Sequence, residues 1–99
     1  MQEFLRDIAN KTVFIIDNEI DVCLLLKTYL LTKGCMVFMA HSLNYAISHM
    51  RQIAPDVVLL GAGMNNNSSL VVERILQATP HVQLIISANE VLYNNSAHL

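Results

Sequence analysis

The sequence has little charge. Asp, Glu, Lys and Arg make up 14% of its 99 residues, against ~25% in a typical soluble domain. Six basic and eight acidic residues give a net charge of −2, and no basic cluster occurs, which argues against binding to a nucleic-acid backbone. A surface with so few charges suggests that a partner covers part of it.

Other features are also scarce. There is no Trp, and the two cysteines, Cys23 and Cys35, form no close metal-type pair, so we interpret them as small apolar residues. No apolar run approaches the ~20 residues of a membrane helix, and charges interrupt residues 1–7, where a signal peptide would be apolar. The four histidines stand at no metal-ligand spacing. We therefore expect a cytoplasmic protein with no membrane contact, no metal and no cofactor.

What remains is an apolar chain, 54% hydrophobic, of a length that provides one core and a single domain over residues 1–99. Short apolar runs alternate with helical patterns, which is typical of an α/β fold with a parallel sheet. The predicted elements are a strand at 12–16, a helix at 19–33, a strand at 35–40, a helix capped by Ser42 that ends near Ile53, a strand at 56–60, a helix capped by Ser68 or Ser69 that reaches Ala78, and a strand at 82–86.

The two ends of the chain are weaker patterns. Residues 89–99 predict at best a short or frayed helix, because Asn94 and Asn95 follow the apolar run. Residues 3–9 predict a helical turn or two with Phe4, Leu5 and Ile8 facing inward.

In parallel α/β sheets the ligand crevice lies outside the carboxyl ends of the strands, where the strand order reverses. Four residues follow predicted strand ends and form the candidate site: Asp17, Asn18, Gly61 and Ser87.

Three strand ends resemble the receiver domain of two-component response regulators. They are residues 15–19 (IIDNE), 55–60 (PDVVLL) and 84–88 (LIISA), and the resemblance covers residues 11–90 in the family's order and spacing. It implies a three-layer, doubly wound parallel sheet of the flavodoxin-like receiver type. Because the chain ends early, we expect the family's fifth strand and fifth helix to be missing.

The resemblance also implies a phosphorelay chemistry that these residues do not support. The phosphoacceptor aspartate position is Gly61, the second metal-binding acid is Asn18, and no lysine follows Gly61. Asp17 alone is a poor Mg²⁺ ligand set. Ser87 matches the family's switch hydroxyl, but we interpret it as a strand-end cap. The sequence thus resembles a degenerate pseudo-receiver, which is no enzyme and acts by contact with another protein.

Helix 19–33 is apolar on two sides. We expect Val22, Leu25, Leu26 and Tyr29 to pack on the sheet, which leaves Ile20, Leu24 and Leu31 as a candidate interface. That stripe is either the docking site of a helix absent from this chain or, together with an uncovered edge of strand four, a surface closed by another protein, most simply a second copy. The alternative function is binding of a small anion or phosphate ester in the crevice, through Asp17, Ser87 and the glycine loop 61–63.

Overall fold

A computed structural model describes residues 7–64, 68–88 and 91–94 of the chain. The strands are β1 (Thr12–Ile16), β2 (Met36–Ala40), β3 (Val57–Leu60), β4 (Gln83–Ala88) and β5 (Val91–Asn94). The helices are α1 (Ile20–Thr32), α2 (Leu43–Ile53) and α3 (Ser68–Ala78), with a 3₁₀ turn at Ala62–Met64 after β3. Phe4, Leu5 and Asn65–Asn67 lie outside the described residues.

The five strands form one sheet in the order β2-β1-β3-β4-β5. The first four are parallel, as the alternating sequence pattern predicted, and the order reverses between β1 and β3. Four parallel strands and three helices confirm the predicted flavodoxin-like receiver architecture. The crevice of such a sheet lies at the carboxyl ends of β1 and β3.

Helices cover both faces of the sheet. On one face α1 packs on Val13, Ile15 and Val57, and Ile8 is fully buried there, as predicted. On the other face α2 and α3 enclose the larger cluster, which includes Phe14, Ile16, Ala40, Ala46, Met50, Val58, Leu60, Ile75 and Leu84. β1 and β3 contribute to both clusters, which explains why both strands are apolar on both faces.

Two helix ends follow the predicted local chemistry. The Ser42 hydroxyl accepts a hydrogen bond from the Tyr45 backbone N–H, so it caps α2 as predicted. After α1, Gly34 adopts a φ of +77°, the left-handed conformation that glycine tolerates best. The predicted cap of α3 is wrong, because Ser68 and Ser69 both lie within that helix.

The buried face of α1 differs from the prediction. Cys23 and Leu30 are buried and Leu26 is partly buried, whereas Leu25 is 73% exposed and Tyr29 is 41% exposed. Apolar residues surround this helix almost evenly, so its sequence contains little information about which side faces the sheet. The side that faces the sheet is instead the one with Cys23 and Leu30.

The tail also differs from the prediction. Val91–Asn94 forms a strand, β5, antiparallel to β4, where the sequence suggested a frayed helix. The edge of β4 is therefore paired, which corrects the expectation that it was open. Valine and tyrosine favour a strand that pairs with an existing sheet edge. A helix of four residues is too short to be stable alone. Residues 95–99 lie outside the described part.

Within the described ranges, no helix is long and apolar enough to cross a bilayer.

Candidate functional site

The strand register places three of the four predicted site residues in one row. Ile16, Leu60 and Ile86 are register partners across β1, β3 and β4, so the residues that follow them, Asp17, Gly61 and Ser87, are neighbours at the carboxyl edge. The backbone N–H of Gly61 donates to the Ile16 carbonyl over 2.8 Å, which continues the ladder into this row. The sequence predicted that these residues lie at one edge of the sheet, and the strand register brings their backbones into one row there.

Ser87 does not end its strand. β4 continues to Ala88, and Ser87 pairs with Leu92 of β5. The backbone of Ser87 therefore belongs to the ladder, one residue before the end of β4. The side chain of Ser87 lies outside the described part of the structure.

Asp17 is the one polar or charged residue that is buried among the described residues, at 8% exposed. Its carboxylate oxygen Oδ1 accepts a hydrogen bond of 2.9 Å from the Glu19 backbone N–H, just before α1 begins. Its own backbone N–H donates to the Ala40 carbonyl over 3.0 Å. Asp17 is thus held at both the backbone and the side chain, and its carboxylate is directed into the crevice.

The carboxyl group of Asp17 occupies the space next to Gly61. A Cβ atom placed on Gly61 would lie less than 3.0 Å from Cγ and both carboxylate oxygens of Asp17, a separation that real Cβ contacts do not show. The φ of Gly61 is outside the left-handed region, so the obstacle to a side chain here is steric. Asp17 therefore fills the space in which any side chain at position 61 would start.

Asn18, the second residue of the predicted acidic pair, also lies beside a glycine, with a wider separation. A Cβ on Gly63 would lie 3.2 Å from Oδ1 of Asn18, and Asn18 itself is exposed. Asn18 provides an amide oxygen but no charge. Within the described residues, no group of three or more His, Cys, Asp and Glu side chains could hold a metal ion. Of the row formed by Asp17, Gly61 and Ser87, only Asp17 is a carboxylate, and a lone carboxylate does not suit Mg²⁺.

Two neighbours of Asp17 were not part of the predicted site. The Cys23 thiol donates to the Asp17 carbonyl over 3.4 Å, and Nδ1 of His41 lies 3.0 Å from the same carbonyl. Because a carbonyl only accepts, His41 carries its proton on Nδ1. His41 directly follows β2, the neighbour of β1, and the strand-end rule could have identified it.

The Cys23 thiol is not a nucleophile. Burial raises the pKa of Cys23, and the negative charge of Asp17 raises it further. The side chain is fully buried. A neutral, enclosed thiol is inert, which agrees with the interpretation of Cys23 as a core residue.

No family model and no curated protein sequence matches this chain. Solved structures do. NtrX from Brucella abortus in complex with ATP superposes with a TM-score of 0.70 and 18% identity, over 82% of this chain and 18% of that chain. The beryllofluoride-activated NtrC receiver domain gives a TM-score of 0.70 and 19% identity, over 83% of this chain and 67% of the other. The fold is that of a response-regulator receiver domain.

A third neighbour is the anti-anti-sigma factor PhyR from Bartonella quintana, with a TM-score of 0.67, 22% identity and coverage of 87% of this chain and 37% of that one. The chain thus spans about two thirds of an isolated receiver domain but only a fraction of NtrX and PhyR. At these identities the similarity establishes the receiver fold. The chemistry of the site has to be argued from the residues of this chain.

The outer surface of α1 is the second candidate site. Ile20, Leu24 and Leu31, which we call the α1 stripe, are 57%, 49% and 52% exposed. Leu25 and Tyr29 add further exposed apolar surface, and the Lys33 ammonium lies 5.5 Å from the centroid of the Tyr29 ring. A helix of 13 residues with five such side chains in solvent is unusual for a free monomer.

Proposed function

We propose that this chain is a phosphorylation-independent protein–protein interaction or dimerisation module of two-component-type signalling, a pseudo-receiver that keeps the scaffold without the switch. The observation that carries the proposal is the contact between Asp17 and Gly61. A receiver needs a carboxylate nucleophile after β3, and here that position has no side chain and its space is occupied. The proposal makes the chain a binding protein and not an enzyme.

The contact surface in this proposal is the α1 stripe, and the partner is a protein, most simply a second copy. Each of the three side chains is about half exposed, so covering it contributes roughly 1 kcal/mol, half of the value for full burial of such a residue. Three residues then contribute about 3 kcal/mol, or roughly a hundredfold in affinity.

The cysteines and the basic residues bear on the cellular location and the partners of the chain. The two cysteines are free thiols, which suits a reducing, cytoplasmic compartment. Six basic residues without a cluster do not form a nucleic-acid footprint, and we propose neither a nucleic-acid nor a membrane partner.

The first experiment tests the loss of the switch. Thermal unfolding should be unchanged by Mg²⁺, acetyl phosphate or beryllofluoride, and intact-mass spectra should show no phosphorylated species for the wild type or for Gly61→Asp. The variant stays inactive because Asp17 blocks the new side chain and neither the second acid nor the lysine is restored. A saturable shift with any of these anions would instead favour the alternative function, binding of a small anion or phosphate ester through Asp17, Ser87 and residues 61–63.

The second experiment tests the α1 stripe. Leu24→Glu combined with Leu31→Glu should leave the fold intact and remove association through α1, seen as a lower weight-average mass in light scattering at equal concentration. The matched control is Ser69→Glu with Leu70→Glu, which adds the same charge at exposed positions of α3. If the α1 variant has the mass of the wild type, the stripe is not the contact surface.

A further inference from the structure

The strand β2 forms an open edge of the sheet, because β1 is its one neighbour among the described strands. Natural edge strands usually carry a charge, a proline or a bulge that prevents pairing with another chain. The sequence of β2, Met-Val-Phe-Met-Ala, contains no charge, proline or glycine. Residues 34–42 include no Asp, Glu, Lys or Arg, so no charge on this edge repels a second strand.

The free backbone groups of this edge can be assigned. The Met36 N–H donates to the Lys11 carbonyl and the Ala40 carbonyl accepts from the Asp17 N–H, both over 3.0 Å, so Met36 and Ala40 direct their backbone groups to β1. Backbone groups alternate in direction along a strand. The N–H and C=O of Val37 and Met39 therefore point away from the sheet.

We propose that this edge binds the β2 strand of a second copy of the chain, antiparallel about a twofold axis at Phe38. In that register Val37 lies opposite Met39 of the second copy, and Met39 lies opposite its Val37. Both are hydrogen-bonded pairs, so all four outward N–H groups and all four outward carbonyls meet a partner, giving four hydrogen bonds. The two five-stranded sheets become one continuous sheet through residues that do not belong to the α1 stripe.

The side chains fit the same register. Phe38 lies opposite Phe38 of the second copy as a non-hydrogen-bonded pair, the closer of the two pair types. Met36, which is 60% exposed, lies opposite the small Ala40. Ala40 belongs to a groove of about 430 Å³ at the end of β2, lined by Met39, Ala40, His41, Ser42 and Tyr45. In the proposed register, Met36 of the second copy enters this groove. An unrelated peptide would not place a methionine there, so the edge favours a second copy of the chain.

Two twofold contacts on one chain link copies into assemblies larger than a dimer. The wild type should therefore exceed dimer mass as its concentration rises in sedimentation equilibrium. Val37→Pro removes an N–H that no monomer hydrogen bond uses, and proline is tolerated at such an edge position. This variant should fold with unchanged circular dichroism and weaken pairing through β2 at least tenfold, so that its mass stops at the dimer formed through α1.

A second variant does not rely on proline. Met36→Lys places a charge in the groove of the second copy and should weaken the same contact, whereas the control Leu70→Lys, at a residue of similar exposure on α3, should associate like the wild type. Combining Val37→Pro with Leu24→Glu and Leu31→Glu should give a monomer. If only the α1 change alters the mass, the proposal for β2 fails while the α1 stripe stands.

The register has its own test. Phe38→Cys brings two thiols together at the twofold axis, where the Cα separation of ~4.5 Å lies in the range that a disulfide spans. Under mild oxidation Phe38→Cys should form a cross-linked dimer, and it should do so in the Leu24→Glu and Leu31→Glu background as well. Met36→Cys and the wild type should form no such dimer. The proposal is overturned if this cross-link does not form, or if the Val37→Pro variant associates as strongly as the wild type.

Discussion

Gly61→Ala should destabilise the fold although it adds only one methyl group. The new Cβ would lie less than 3.0 Å from three carboxyl atoms of Asp17, so that side chain must rotate away. Rotation breaks the hydrogen bond from the Glu19 N–H to Oδ1. A hydrogen bond to a charged group contributes ~1.5–3 kcal/mol, and we expect a loss of about 2 kcal/mol.

Urea unfolding at pH 7 measures this loss, and the melting temperature should fall by roughly 10 °C for a domain of this size. The decisive comparison is the same change in an Asp17→Ala background, where the obstructing carboxyl group is gone. There Gly61→Ala should be neutral or stabilise by ~0.4–1 kcal/mol, because alanine restricts the unfolded chain. Equal costs in the two backgrounds, or a Gly61→Ala protein as stable as the wild type, would refute the steric reasoning.

Three further changes have defined outcomes. Gly34→Ala should cost ~1–3 kcal/mol in urea unfolding, because φ is +77° and the new Cβ would meet Oδ1 of Asn10. Ser42→Ala should cost ~1 kcal/mol by removing the α2 cap on Tyr45, while threonine at this position keeps most of it. Because the pKa of Cys23 is raised in the fold, its contribution to stability is complete below the unfolded pKa of ~8.5 and is lost as the pH rises through the folded value. The wild type should therefore lose stability relative to Cys23→Ala as the pH rises above ~8.5, and parallel pH profiles would contradict this.

Much of the fold could be predicted because local chemistry and pairing agree. β1 begins and ends where its β-branched and aromatic run does, and α2 begins after Ser42, whose hydroxyl caps it. The alternation of strands and helices leaves a parallel sheet as the simplest arrangement, and parallel strands bring their carboxyl ends to one edge. That rule places Asp17 and Gly61 at the same edge, and the pairing of β1 with β3 makes them neighbours.

Other features could not be predicted because they depend on partners distant in sequence. α1 is apolar around most of its circumference, so the side that faces the sheet is chosen by packing, with Cys23 inward and Leu25 in solvent. Residues 91–94 are a strand because the edge of β4 offers a ladder, and the same four residues would have no stable structure alone.

The amino-acid sequence by itself determined that this chain has an α/β fold, that Asp17 follows β1, and that position 61, after β3, has no side chain. Residue identity at a position does not depend on folding. Only the tertiary structure decided that the Asp17 carboxyl group fills the space beside Gly61, and that β2 presents the backbone groups of Val37 and Met39 outward. Those facts depend on distances between segments that the chain brings together only when the sheet forms.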